Sequence, residues 1–324
     1  MGALTRQPLL LLAILFSIVG LAAGLVLEDW LVATLSVAFA RALAVLGLIV
    51  LWRTGLVSFG HALYFGIGAY TVAILGIQFE LSELLITLPA AAIAGGLVGW
   101  ALGFIVRRYR EIFFAMLSLA FSMVLYGVLV KSEALGSTDG FNVLPATLFG
   151  WRPEEAGDAQ LMMLLVLCVL GWGAAGVVHL YLNSTLGSLT SAIRDNEIRV
   201  EYLGASVAQA IHIKYVISAV LAALAGGATA TILGQVDPDS MVNWPISGEL
   251  VFVTILSGSG NVIAPFIGSV IYELIRTYAF EWAPHAWQMI VGATLLAIIF
   301  LLPGGVWSLI EKLFKRSQSR GEGL

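Results

Sequence analysis

Arg41, His61, Glu273 and Arg276 all stand inside apolar stretches of this chain. A charged side chain at the centre of a bilayer costs about 2.5–3.5 kcal/mol or more, so each such residue marks a solute or ion pathway, a proton relay or a buried pair. Glu273 and Arg276 are three apart, share one helical face and can neutralise each other. Arg41 has no partner close in sequence, so pathway and packing are equally open readings for it. His61 closes Ser58-Phe-Gly-His61 at the start of one apolar stretch, and Ser257-Gly-Ser-Gly-Asn261 leads into another. Arg41, Ser58, His61, Ser257 and Asn261 are therefore the candidate lining of a path.

Nothing in the chain has the pattern of bond-making chemistry. A phosphate-cradling loop with its lysine, a His-Glu-x-x-His pair and a Gly-x-Ser-x-Gly elbow are all missing. The single cysteine, Cys168, lies in an apolar run and leaves neither a disulfide framework nor a thiolate metal site. The expectation is a non-catalytic protein without cofactor or metal. If it moves a solute, it borrows an engine or runs on an ion gradient. Few acidic residues lie in the apolar stretches, which weakens the gradient reading.

The elements that must position these side chains follow from composition. Hydrophobic residues make up 60% of the 324 positions and charged ones 11%, against roughly a quarter charged in an average soluble protein. Apolar runs fall at about 9–27, 30–52, 55–77, 84–106, 112–130, 160–182, 212–234, 262–280 and 285–302, with a shorter tenth at 246–258. A crossing helix needs about 20 residues. The expected class is an all-α polytopic membrane protein of about ten transmembrane helices, forming one domain over 1–324. Arg6, Arg53, Arg107, Arg108, Arg110, Arg194, Arg199, Lys312, Lys315, Arg316 and Arg320 fall on one side, and Lys131 and Arg152 on the other with most of the acids. The positive-inside rule then places both termini in the cytoplasm, provided that the short run crosses.

Two connections are long. The external one, 131–159, contains Gly136-Ser-Thr-Asp-Gly140 and two prolines. The cytoplasmic one, 183–211, reads as a short amphipathic helix over 187–206. Leu189, Ala192, Ile193, Val200 and Leu203 recur at helical spacing with Asn196 in the gap, and Arg194, Asp195, Glu197, Arg199 and Glu201 cover the other face. Asp195 and Arg199 are spaced to pair, and Gly204 sits where a helix C-cap belongs. The mixed, acidic polar face suits docking against a protein better than lying on lipid. Gly95, Gly99 and Gly103, with a similar stripe at Ala219, Ala223 and Gly227, permit close helix approach and read as packing inside the chain. A faint internal echo relates Gly55–Tyr70 to Ser257–Tyr272.

Ser58-Phe-Gly-His-Ala-Leu-Tyr-Phe-Gly-Ile-Gly-Ala-Tyr70, Thr138-Asp-Gly140, Ala192-Ile-Arg-Asp-Asn-Glu197, Glu201-Tyr-Leu-Gly204, Gly248-Glu-Leu250 and Leu302-Pro-Gly-Gly305 together resemble the permease subunits of branched-chain amino acid ABC importers. The likeness runs over about 35–307. It implies a bundle similar to the ten-helix vitamin B12-type (type II) permeases, sited in the bacterial inner membrane. It also implies a homologous second permease, two cytoplasmic ATPases and a periplasmic binding protein as partners, with no nucleic acid. Segment 187–206 becomes the coupling helix, with Arg194, Asp195, Glu197, Glu201 and Gly204 at the ATPase contact. One departure is Tyr202, where many relatives carry alanine. Branched-chain amino acids, urea, short amides and aromatic acids all remain open as solutes. A gradient-driven carrier or channel is the alternative from another class.

Overall fold

The computed structural model describes residues 8–302 and 304–312; Arg6, Pro303, Lys315, Arg316 and Arg320 lie outside them. Each apolar run is occupied by a helix: α1 (Pro8–Leu25), α2 (Asp29–Trp52), α3 (His61–Phe79), α4 (Leu84–Val106), α5 (Glu111–Lys131), α6 (Ala156–Asn183), α9 (Val207–Leu233), α11 (Trp244–Ser257), α12 (Ala264–Trp282) and α13 (Trp287–Leu301). Between these lie the short helices α7 (Thr185–Asp195), α8 (Glu197–Tyr202) and α10 (Pro238–Met241), and α14 (Gly305–Lys312) follows. Among the described residues, α2 to α6 and α9 are long and apolar enough to cross a membrane, by length and composition. Helices α13 and α14, bent 46° to each other, add a seventh span if they act as one. At 14 residues α11 is only about 21 Å long, short of a bilayer core of about 30 Å.

Burial sorts these helices. From Ala38 to Leu51 every residue of α2 except Arg41 is buried. A helix that is apolar all round belongs inside a bundle. Helix α9 is the other central element and packs along α2, α3 and α4. Most of α5 faces outward, with Ile112, Phe113, Met116 and Val124 exposed.

The α3–α4–α9 contact is made by small residues. A Cβ at Gly68 would run into the Ala223 carbonyl, and one at Gly226 into the Phe65 carbonyl. Gly95 and Gly99 sit against the Cβ atoms of Ala223 and Ala219, and Gly103 against the His212 ring. The two stripes of small residues therefore face each other within one chain. Backbones that approach this closely gain dispersion contacts, which carry helix association where no hydrophobic force acts.

The third apolar run does not start its helix where its apolar residues begin. Residues 53–60 form a turn, with Gly55 at φ +81°, and α3 opens only at His61. Gly258, also at φ +81°, precedes α12 in the same way, and both helices are 19 residues long. The echo between the two segments is thus a shared turn-then-helix build. The start of α3 is also deep. His61 meets Ser218, halfway along α9, and the Ala62 N–H donates to Ser247 Oγ (2.9 Å) in the first turn of α11. The N-termini of α3 and of the short α11 therefore meet inside the bundle.

The 131–159 connection is ordered rather than loose. It pairs Phe141–Asn142 (β1) antiparallel with Gln235–Val236 (β2) in a two-stranded ribbon. Farther on, Leu148 and Trp151 exchange backbone hydrogen bonds across a turn whose central residues, Phe149 and Gly150, both have positive φ (53° and 75°). Both their N–H groups donate to the Glu83 carboxylate (2.8 and 3.1 Å), and Thr147 Oγ1 donates as well (3.0 Å). The Gly150 N–H, with those of Phe149 and Leu85 and the Thr147 hydroxyl, holds the Glu83 carboxyl below its usual range. A depressed carboxyl stabilises the fold above the unfolded-state pKa of about 4.3 and loses that contribution as pH falls through the lower folded value. The turn is thus expected to stay docked throughout the neutral range and to release only in acid below the ordinary carboxylate range. Replacing Glu83 with alanine should speed hydrogen exchange of the Phe149 and Gly150 amides at neutral pH while leaving α9 protected. Unchanged exchange at both amides would count against the clamp.

Candidate functional site

Arg41 projects from the middle of α2 into an ionic cluster. Its Nη1 lies 3.3 Å from Glu249 Oε2 on α11 and 3.2 Å from Glu273 Oε2 on α12. Glu273 Oε1 lies 3.5 Å from Arg276 Nη1 one turn on. The Arg41 guanidinium stacks 5.0 Å over the Tyr272 ring, and that of Arg276 lies 5.5 Å over Trp287. The four charges sum to zero and tie α2, α11 and α12 together. Among the described residues, neither Arg41 Nη1 nor Glu273 Oε2 has a hydrogen-bond partner in line with it, although both are buried. The pairs are ionic contacts without the short, aligned N–H···O geometry of a locked salt bridge.

Beside the cluster is a cavity of about 330 Å³. Arg41, Glu249, Glu273 and Arg276 charge one part of its wall, while Val37, Phe65, Ile246 and Leu250 make an apolar part. That is a polar spot set in apolar surface, and the volume lies within the about 300–1,000 Å³ usual for small-molecule sites.

The remaining candidate residues are elsewhere. His61 is fully buried, with Nε2 2.6 Å from Ser218 Oγ. Ser58, also buried, accepts the Gly60 N–H through Oγ (3.3 Å). Ser257 Oγ donates to the Val253 carbonyl (2.6 Å), and Asn261 Oδ1 accepts the Ile263 N–H (3.1 Å). The Ser257–Asn261 turn is braced by the start of α14 and the residue before it, with Gly258 against Gly304 and Gly305 and Gly260 against Trp307. None of these four is among the described residues lining the cavity, so the structure brings Arg41 together with Glu273 and Arg276 instead.

Two buried or half-buried charges, Glu249 and Lys214, are not among the candidate site residues. Glu249 sits in the short run 246–258, where its charge amid apolar neighbours was the available signal for the missing partner of Arg41. Lys214 lies near the start of α9, fully buried, its Nζ without a hydrogen-bond partner among the described residues.

The 187–206 segment is two helices rather than one. Asn196 leaves the helical region (φ −164°, ψ 102°) and caps α8, its Oδ1 accepting the Arg199 N–H (3.0 Å). An asparagine side chain competes for backbone donors and favours a cap over a helix interior. The break separates Asp195 from Arg199, and no ion pair joins them among the described residues; Glu197 instead pairs with Arg110 (2.5 Å), in the α4–α5 link. Ser184 caps α7, and α8 closes in a Schellman motif. Gly204, at φ +84°, donates to the Glu201 carbonyl (2.9 Å), and Ala205 donates to that of Val200 (3.3 Å).

Ile193 and Val200 bury inward, but Ala192 and Leu203 do not join them. The apolar residues Ile198, Tyr202 and Leu203 are 66%, 88% and 81% exposed, beside exposed Arg194, Asp195, Glu201 and Gly204. This end of the bundle shows an apolar patch rimmed by mixed charge, the composition of a protein-docking surface.

The family described as branched-chain amino acid transport system / permease component matches residues 30–299, which include α2 to α13 almost entirely. The chain belongs to that family. It is 26% identical over 296 residues to the high-affinity branched-chain amino acid transport system permease proteins LivM of Salmonella typhimurium and of Escherichia coli, covering 85% of this chain and 69% of each relative. No solved structure matches it. The matched region of the family holds both the Arg41 cluster and the α7–α8 surface, so neither is an appendage to the common bundle.

Proposed function

We propose that the chain is one transmembrane subunit of an ATP-driven importer and forms half of the path for branched-chain amino acids or related small polar solutes. In this reading ten helices cross the bacterial inner membrane in a vitamin B12-type arrangement, and both termini are cytoplasmic. A homologous second permease completes the path, a periplasmic binding protein delivers the solute and two cytoplasmic ATPases hydrolyse the nucleotide. Residues 187–206 carry the ATPase motion into the bundle. The observation that carries the reading is the exposed Ile198, Tyr202 and Leu203 patch on α8, within a chain of the permease family.

The geometry suits coupling. Helix α7 follows directly on α6, and α8 leads through the Gly204 turn into α9, the central helix. A push on α7–α8 therefore reaches the elements that pack on α2, α3 and α4. Arg194, Asp195, Glu201 and Gly204 face outward, which supports their part in the ATPase contact. Glu197 is already engaged by Arg110 and holds α8 to the α4–α5 link.

Affinity purification of the chain from native membranes, followed by mass spectrometry, tests the reading. Two soluble nucleotide-binding ATPases and a related permease should co-purify. Replacing Glu201 with lysine, or Tyr202 with serine, should lower ATPase recovery at least several-fold without changing membrane insertion. A chain that emerges alone or as a homodimer in mild detergent would overturn the importer reading in favour of a gradient-driven carrier or channel.

A further inference from the structure

We infer that the Arg41–Glu249–Glu273 cavity is a solute site built for a zwitterion, in which Arg41 takes a carboxylate, Glu249 takes an ammonium group and the apolar wall takes an aliphatic side chain; this rests on the permease reading.

Charge placement is the first ground. Arg41, Lys214, Glu249, Glu273 and Arg276 are the ionisable lysine, arginine and carboxylate side chains away from the ends of the described spanning-type helices and α11 and α12, and all but Lys214 line this one cavity. Intramembrane charge is costly enough that four such groups around one void need a joint reason. Locked charge-assisted hydrogen bonds run to about 2.7–2.9 Å. Here the contacts are 3.2–3.5 Å, and Arg41 Nη1 and Glu273 Oε2 keep unused hydrogen-bonding capacity.

Balance of charge is the second. The cluster is neutral, so a solute with one positive and one negative group leaves it neutral when bound. A solute with only one charge would leave an uncompensated ion at membrane depth. Arg41 offers a planar fork matched to a carboxylate. Glu249 is the more open of the two acids, with 22% of its side chain exposed against 10% for Glu273. Glu273 is held between Arg41 and Arg276 and acts as the positioning residue that aims the Arg41 guanidinium. Phe65, Ile246 and Leu250, on the same cavity, supply the apolar contact.

The test uses the co-purified complex in lipid nanodiscs, without binding protein, and radiolabelled L-leucine as the probe. Leucine should bind. 4-Methylpentanoic acid, which lacks the ammonium, and 3-methylbutylamine, which lacks the carboxylate, should each compete at least about tenfold more weakly. Glu249→Gln should weaken leucine binding at least about tenfold in protein that still assembles into the complex, and Glu249→Asp, which keeps the charge, should recover part of the loss. Equal competition by either single-charge analogue overturns the inference, as does leucine binding unchanged by Glu249→Gln. If ATPases co-purify and neither leucine nor any other standard amino acid binds at millimolar concentration, the site inference fails and the importer reading stands. If leucine binds this chain but no ATPase co-purifies, the importer reading fails and the site stands.

Discussion

Replacing Arg41 with leucine is expected to destabilise the bundle by about 3–5 kcal/mol, because it leaves two carboxylates in the interior without their shared cation. Glu249 and Glu273 both approach Arg41 Nη1, at 3.3 and 3.2 Å, from two different helices. Without the guanidinium, only Arg276 remains to balance them, and the cluster carries one net negative charge. Adding Glu249→Gln to Arg41→Leu restores neutrality and should return most of the lost stability. The double variant therefore separates charge balance from simple packing loss. Melting of the purified protein in one detergent, for the wild type and both variants, gives the result. Leucine uptake should be abolished in both variants, since the carboxylate receptor is missing either way. A single variant as stable as the wild type, or a double variant no better than the single, would show that the cluster does not hold the helices. Normal uptake by Arg41→Leu would remove it from the path.

The second large effect lies at the crossing of α3 and α9. Valine at Gly226 is expected to cost about 3 kcal/mol or more, since overpacking here meets backbone and not a side chain that can turn aside. A Cβ at Gly226 lands on the Phe65 carbonyl and Cα, and a Cβ at Gly68 lands on the Ala223 carbonyl. Either substitution must force the two helices apart along the contact that α9 makes at the centre of the fold. Two controls bracket the claim. At Gly103 an added methyl group meets the His212 ring rather than backbone, so Gly103→Ala should cost less than Gly226→Val. At Gly127 nothing lies within 4 Å, and Gly127→Ala should be neutral or slightly stabilising through helix propensity. A thermal melt series over Gly226→Val, Gly103→Ala and Gly127→Ala checks the order. Gly226→Val melting with Gly127→Ala would defeat the close-approach account.

Both effects bear on what could be read before the fold was known. Helix positions were legible because an apolar stretch of membrane length has few alternatives to a helix when its backbone must bond to itself. Runs such as 84–106 match α4 to the residue. The delayed start of α3 after residue 55 and the break of the cytoplasmic segment at Asn196 fall where turn chemistry overrides hydrophobicity. A glycine at positive φ and a capping asparagine each end a helix, whatever the polarity around them. The Gly95, Gly99 and Gly103 stripe was legible as a contact surface. Its partner was not, because any stripe of small residues elsewhere in the chain could have met it.

By itself, the sequence determined that this protein is an assembly of membrane-length helices of the branched-chain permease family, with a charged segment between α6 and α9 that differs from the rest. Those properties depend on composition, local order and motif, which need no knowledge of neighbours. Only the tertiary structure decided which charges answer one another: Arg41 with Glu249 and Glu273, more than 200 residues away, and Glu197 with Arg110 rather than a helical neighbour. It alone also turned Ile198, Tyr202 and Leu203 outward and set His61 against the middle of α9. Ion pairing and exposure depend on distances across the bundle, and the packing of α2, α9, α11 and α12 sets those distances. Residue spacing along one strand of sequence does not carry them.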